Sequence, residues 1–354
     1  MEDKNRNIKL INGEEDKTMR LDFSPYTVEV KGKVIPMGQN IWEAMLANTW
    51  FIDETNLTED VYDWNYKMTD DEKRTFKLAL AFASNLDGIQ TGNLPINILP
   101  FITETWSKFC IIRQGMEEAL HCTQYLEMID TFELDREEIY NMFLTDNVMY
   151  EKNSHILEVY ERLKASNDVT TEDKILAFFA NLALEHIYFY SVFLVFGNFQ
   201  KLGKMKESAK SIRFIARDEG TTHTELFASF IKICKDEYPK EYANILPKAR
   251  AMFKEAVDLE IGWGKYITGN RILGISDKTI EMFIQSLANQ AFSKIGEPEL
   301  YEGIKNPFVW FNDWLDFNAT NERFFEGTVM NYAKGESGAN KSTKENFLAR
   351  FKQN

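Results

Sequence analysis

The chain has 354 residues with 44% hydrophobic and 27% charged side chains, a composition ordinary for a folded protein. Its 55 acidic against 41 basic residues leave a formal net charge of −14, which argues against a nucleic-acid binder, since such proteins carry a basic face. Only 18 glycines and 8 prolines occur, too few for a turn-rich all-β chain, and three cysteines (Cys110, Cys122, Cys234) without paired spacing disfavour a disulfide framework. The opening MEDKNRNIKLINGEEDKT has no apolar core of a signal peptide. The purest apolar run, Ile187–Phe196, is about half the ~20 residues of a membrane span. The expectation is a soluble, acidic, cytoplasmic protein with no membrane segment.

Residues 1–40 read as an irregular arm with a short hairpin around Val28–Ile35. Residues 41–334 read as one helical domain, because no proline interrupts Phe101–Tyr238 and apolar residues recur there at helical spacing. Residues 335–354, GESGANKSTKENFLARFKQN, are too polar to offset their ordering entropy and read as a flexible tail.

Four long helices follow in chain order. The first opens at a capping box, Thr69-x-x-Glu72, and its apolar stripe Phe76, Leu80, Ala83 leads to Asp87. A second, about Phe101–Asp130, carries Ile111, Gly115, Glu118, Cys122, Tyr125 and Ile129 on one side. The third starts near Thr170–Thr171 and has no Lys or Arg between Lys174 and Lys201, so it is apolar nearly all round and predicts a fully buried helix. The fourth, about Lys206–Cys234, aligns Ile212, Ile215, Glu219, His223, Leu226 and Phe230.

Each helix thus places an acid on its inward face, and two add a histidine one turn later: Glu118 with His121, and Glu219 with His223. Glu185 is the only acid of a long apolar stretch, and an unpaired buried carboxylate is costly unless it takes up a proton or binds a cation. Four carboxylates and two histidines are the donor inventory of a dinuclear carboxylate site in a four-helix bundle. Oxygen and imidazole donors suit iron or manganese better than zinc. A single Glu-x-x-His pair is weak, recurring by chance on solvated helices, and Glu185 alone could pair with a distant arginine such as Arg217. Two pairs together with Glu185 and Asp87 on apolar faces favour the metal. His155, in a charged segment, and His186, in the core, read as structural.

The strings NLDGIQ (85–90), EEALHCTQY (117–125), NLALEHIYFY (181–190), IARDE (215–219) and NPFVWFNDWL (306–315) resemble the small, radical-generating subunit of class I ribonucleotide reductase, over roughly residues 40–335. The resemblance implies an all-α, ferritin-like bundle that forms a homodimer and supplies a radical to a large subunit for reduction of ribonucleotides to deoxyribonucleotides. It implies a diiron centre, with dimanganese or mixed manganese/iron as options, that reacts with an oxygen species and oxidises a tyrosine. By position, Asp87, Glu118 and His121 look like ligands of one metal and Glu185, Glu219 and His223 of the other, with Glu118 and Glu219 bridging. Tyr125 matches the radical tyrosine, and Phe189, Phe193, Ile212 and Ile215 its apolar jacket. Trp50 resembles the electron-passing tryptophan, Asp218 the acid linking it to His121, and Tyr332 the relay tyrosine ahead of the tail. A flavodoxin-like activase is a further expected partner.

Two departures stand out. The family spaces its second Glu–His pair three apart, whereas EGTTH puts His223 four after Glu219. An ordinary α-turn, a one-residue π-bulge at Gly220–Thr222, or a histidine that misses the metal are the three options. The tail also ends in basic NFLARFKQN where the family ends in an acidic, aromatic peptide; Phe347 and Phe351 remain as anchors. Another carboxylate-bridged oxidase or hydroxylase on the same bundle would not need Trp50, Asp218 and Tyr332 together. An iron-storage protein would be shorter, and a metal-free scaffold is the plain alternative.

Overall fold

The computed structural model describes residues 36–165 and 169–316. Two units separate at Leu315/Asp316, and apart from Asp316 the described residues all lie in the first. The hairpin expected at Val28–Ile35, the tail and Tyr332 lie outside the described residues, as does the side chain of His155.

No strand occurs among the described residues. Helix α1 (Pro36–Ala47) begins within the segment read as an irregular arm, with proline in its first position, where a missing N–H costs nothing. A short α2 (Val61–Tyr66) precedes α3 (Asp70–Asn93) and α4 (Thr105–Thr131), which pack along each other. The predicted capping box is present: Thr69 Oγ1 accepts from Glu72 N at 3.2 Å, and Glu72 Oε2 accepts from Thr69 N at 2.8 Å. Glu72 also receives Lys204 Nζ at 2.7 Å, tying the start of α3 to the loop that follows Lys201. Helices α5 (Arg136–Thr145) and α6 (Asn147–Ala165) lead to the buried third helix.

That helix is interrupted. Helix α7 (Thr171–Ala183) passes through a π-turn, Leu184–Tyr188, into α8 (Tyr190–Lys201). By length and hydropathy the run Thr171–Lys201 would qualify to cross a membrane, but 94% of its apolar window is buried inside the bundle. The fourth is built alike: α9 (Lys206–Arg217), a π-turn at Asp218–His223, and α10 (Thr224–Glu237). Helices α7 and α10 pack together, α8 lies on α9, and α11 (Pro239–Thr268) covers α7 before α12 (Asp277–Lys294).

The helical reading of residues 41–334 is interrupted after α12. Residues 295–308 are irregular before α13 (Val309–Leu315). Gly296 and Gly303 both sit at positive φ, and Asn289 replaces a helical ladder there by accepting from Leu300 N and Tyr301 N and donating to Tyr301 O. A core aromatic cluster of Trp64, Phe76, Phe132 and Phe196, with ring centroids 4.9–5.5 Å apart, locks α2, α3 and α8 together.

The cap supplies a local check on this fold. Thr69→Ala removes one half of the box and leaves the Glu72–Lys204 bridge, so it should destabilise the protein by about 1 kcal/mol in urea unfolding. A change within error would show that the bridge alone holds the start of α3.

Candidate metal centre

Helices α3 and α4 and the π-turns Leu184–Tyr188 and Asp218–His223 converge on six buried donors. They form two groups whose donor atoms lie within 4.8 Å of one another: Asp87, Glu118, His121 and Glu219, and Glu118, Glu185, Glu219 and His223. Glu118 and Glu219 belong to both groups, the arrangement in which a carboxylate can bridge two ions. All six predicted side chains are brought together, and each is fully buried.

The two imidazoles face the centre in the same sense. His121 Nδ1 lies 3.5 Å from Asp87 Oδ2, 3.5 Å from Glu118 Oε2 and 3.2 Å from Glu219 Oε1. His223 Nδ1 lies 3.1 Å from Glu219 Oε2, 3.5 Å from Glu185 Oε2 and 3.6 Å from Glu118 Oε1. Both Asp87 oxygens, Glu118 Oε2, Glu185 Oε2, Glu219 Oε1 and His121 Nδ1 are buried without a hydrogen-bond partner. Orphaned buried acceptors clustered around inward nitrogens are what a cation between them would satisfy. The residues present therefore fit a dinuclear metal site.

The π-turn at Asp218–His223 realises the second of the three options for His223. Its extra residue turns the histidine back toward Glu219, and Leu226 and Phe230 downstream remain buried. Gly220 permits the turn to sit where it does, because a Cβ there would come within 2.8 Å of the Tyr190 hydroxyl.

Each outer imidazole nitrogen meets an acid. His121 Nε2 lies 3.4 Å from Asp218 Oδ2, which accepts Trp50 Nε1 at 2.7 Å, and the indole stacks on the His121 ring at 6.2 Å and 12°. His223 Nε2 lies 2.9 Å from Glu117 Oε2, and Arg113 Nε pairs with the other Glu117 oxygen at 2.8 Å. Such contacts fix the tautomer and aim Nδ1 at the carboxylate cluster. Glu117 escaped the sequence reading, although it stands beside Glu118 and one turn from Arg113. So did Gln90 and Gln114, whose amides donate to Glu185 Oε1 at 2.6 and 2.8 Å. They lie three residues after Asp87 and four before Glu118, and that spacing was the available signal.

Glu185 does not pair with Arg217, which bonds the Asn48 carbonyl and approaches Asp218. His186 belongs to neither donor group. It lies 3.4 Å from Thr224 Oγ1, packs edge-on to Tyr190, and is driven down to about 3 by burial. Tyr125 is fully buried one turn beyond His121, and its phenol is pushed well above the ordinary range by burial and by the Asp87 and Glu219 charges. Phe189, Phe193, Ile212 and Ile215 are likewise fully buried.

Burial, reinforced by neighbouring acids, pushes Asp87 up to about 6, Glu118 to about 8 and Glu219 to about 7. Burial opposes charge on His121 and His223, but the surrounding carboxylates outweigh it and hold both well above the usual imidazole value. Every one of these groups keeps its proton in the folded chain at a pH where the unfolded chain has lost it. Their contribution is fully present below the unfolded values and is lost as pH rises through the folded ones. The metal-free protein should therefore lose thermal stability from about pH 5 to about pH 8, and divalent metal, which displaces those protons, should flatten the slope. Melting curves with and without metal across that range check it; a metal-free protein that gains stability over the interval contradicts the electrostatics.

The comparisons with known proteins agree with this geometry. Residues 35–307 match the family described as "Ribonucleotide reductase, small chain". The ribonucleoside-diphosphate reductase subunit beta of Treponema pallidum is 33% identical over 298 residues, covering 82% of this chain and 84% of that protein. The corresponding subunit of Halalkalibacterium halodurans is 28% identical over 300 residues, covering 83% and 85%. Among solved structures, the ribonucleotide reductase R2 subunit from Clostridium botulinum superimposes with a TM-score of 0.76 at 30% identity, covering 84% of this chain and 98% of that one. Streptococcus sanguinis dimanganese(II)-NrdF shares the fold at a TM-score of 0.70 and 17% identity, covering 84% and 100%. With its four-helix donor set and a family match spanning most of its length, the chain belongs to the small-subunit family of class I ribonucleotide reductase.

Proposed function

We propose that the chain generates and holds a radical on Tyr125 and delivers its oxidising equivalent to a large subunit, which reduces ribonucleotides. The observation that carries this reading is the continuous contact from His121 through Asp218 to the Trp50 indole, with Trp50 hydrogen-bonded at 2.7 Å. Asp87, Glu118 and His121 would hold one metal and Glu185, Glu219 and His223 the other, with Glu118 and Glu219 shared. Iron in both positions is the first expectation, with two manganese ions or one of each as the other options. When bound, the metal pair would supply, together with an oxygen species as the oxidant, the oxidising power needed to convert the tyrosine to its radical.

The chain's own residues do the rest. Burial and the nearby acids hold the Tyr125 phenol protonated, so its oxidation must also release the proton, for which the Asp87 carboxylate beside it would be the acceptor. The Phe189, Phe193, Ile212 and Ile215 side chains would keep water and reductants from the phenoxyl. Asp218 holds the Trp50 N–H and faces His121, so it orients both ends of the path. Arg217 braces that path by bonding the Asn48 carbonyl. Tyr332 enters on the resemblance alone, as the relay toward the large subunit, with residues 335–354 as the docking tail. A homodimer would cover the exposed Ile112 and Met116, one turn apart on α4. A cytoplasmic location and activation by a flavodoxin-like protein complete the reading.

Tyr125→Phe deletes only the phenol oxygen. Metal loading should survive, while the tyrosyl signal in electron paramagnetic resonance and nucleotide reduction with the large subunit should both disappear. An unchanged radical spectrum would move the assignment to Tyr188 or Tyr190. Tyr332→Phe should leave metal loading, the Tyr125 radical and large-subunit binding intact and abolish turnover. Full deoxyribonucleotide production by that variant would remove Tyr332 from the path, whereas failure of the intact chain to bind any large subunit would favour a carboxylate-bridged oxidase acting alone.

A further inference from the structure

A second buried charge cluster lies outside the metal centre and outside the radical path. Lys152 on α6 and Glu260 on α11 form an ion pair with side chains 1% and 0% exposed. The lysine ammonium sits 3.6 Å from the Phe82 ring centroid and 5.5 Å from that of Trp263. Burial pulls Lys152 down to about 8 even with Glu260 beside it. A buried pair of this kind is poor at adding stability, because removing both charges from water costs as much as their attraction returns. Its presence needs another reason.

The contacts of the pair supply one. Lys152 Nζ donates to the Tyr188 carbonyl at 3.0 Å, and Glu260 Oε1 accepts from Ser191 N at 2.9 Å. Tyr188 is the last residue of the π-turn Leu184–Tyr188, and Ser191 is the second of α8. At that joint Phe189 (φ −93°, ψ −13°) starts α8 without any side-chain cap of its own. The cation therefore meets the carbonyl end of one segment and the anion the amide end of the next, the polarity that both helix ends favour. The approach is enforced from α11. Gly264, one turn after Glu260, lies so close that a Cβ would come within 2.7 Å of Ser191 Oγ and 2.8 Å of Ile280 Cγ2.

We propose that Lys152 and Glu260 are positioning residues for Glu185: the pair clamps the joint that closes the π-turn and so fixes the face on which Glu185 meets the second donor group. Glu185 lies three residues before Tyr188 within that turn, so relaxation of the turn toward α-helix would rotate its carboxylate away from Glu118, Glu219 and His223. The assignment rests on the metal-site reading above, but the clamp itself can be tested without metal.

The variants are Lys152→Met/Glu260→Met, which replaces the pair by apolar side chains, and Lys152→Met/Glu260→Gln, which keeps an acceptor for Ser191 N–H. In the metal-free proteins, hydrogen exchange at the amides of residues 188–192 should accelerate while residues 218–223 stay at the wild-type rate. On titration with Mn(II), the first ion should bind as in wild type and the second about tenfold or more weakly, with loss of the spin-coupled resonance of the pair. The Gln variant should lose less than the Met variant. Wild-type exchange at 188–192 in both variants overturns the clamp, and so does second-ion affinity equal to wild type. Loss of both ions together with accelerated exchange throughout the bundle also overturns it, since that is a packing defect. Failure of wild type itself to bind two Mn(II) refutes the metal-site reading, a result separate from the exchange measurement.

Discussion

Four carboxylates share the centre of an apolar bundle, and their charge partners among the described residues are two histidines. Everything around them answers that constraint. Amides from Gln90 and Gln114 occupy one oxygen of Glu185, and the remaining acceptors converge where an ion can sit. Without a cation the site resolves the conflict by retaining protons, which is why three of its acids are pushed up into the neutral range. The same burial that makes the donors expensive makes them strong ligands once ionised, since no water competes for them.

Regular α-helices alone do not deliver this geometry. Three of the four contributing helices run into π-turns, and two of these fall on donors: Glu185 in Leu184–Tyr188, Glu219 and His223 in Asp218–His223. A π-turn widens the helix and frees main-chain groups, so it persists only where neighbours hold it. Around Glu219 the tightening element is local, with Thr222 and Thr224 hydroxyls bonded to the Asp218 and Glu219 carbonyls. Around Glu185 the contacts come from α6 and α11.

Much of this was readable from residue order because it depends on short spacings. The Thr69/Glu72 cap, the Glu118/His121 and Glu219/His223 pairs and the isolation of Glu185 in an apolar run are all local patterns. The lone surplus residue in EGTTH was legible as an anomaly, and its form needed the fold. Glu117 was not legible, because it matters only through His223, 106 positions away. Lys152 sits in a stretch, NVMYEKNSH, that looks like a solvated helix; its burial is decided by Glu260, 108 positions on. The irregular stretch 295–308 was misread as helix although Gly296, Pro298, Gly303 and Pro307 punctuate it.

The link after α1 carries a consequence for how the centre can move. Asn48 receives Arg217 through its carbonyl, Thr49 Oγ1 receives Arg113 Nη2 at 3.0 Å, and Trp50 holds Asp218. Arg113 leads through Glu117 to His223, and Asp218 leads to His121. The two imidazoles are thus moored to three consecutive residues. A shift of that link would therefore reach both outer nitrogens at once, one through Arg113 and Glu117 and the other through Asp218.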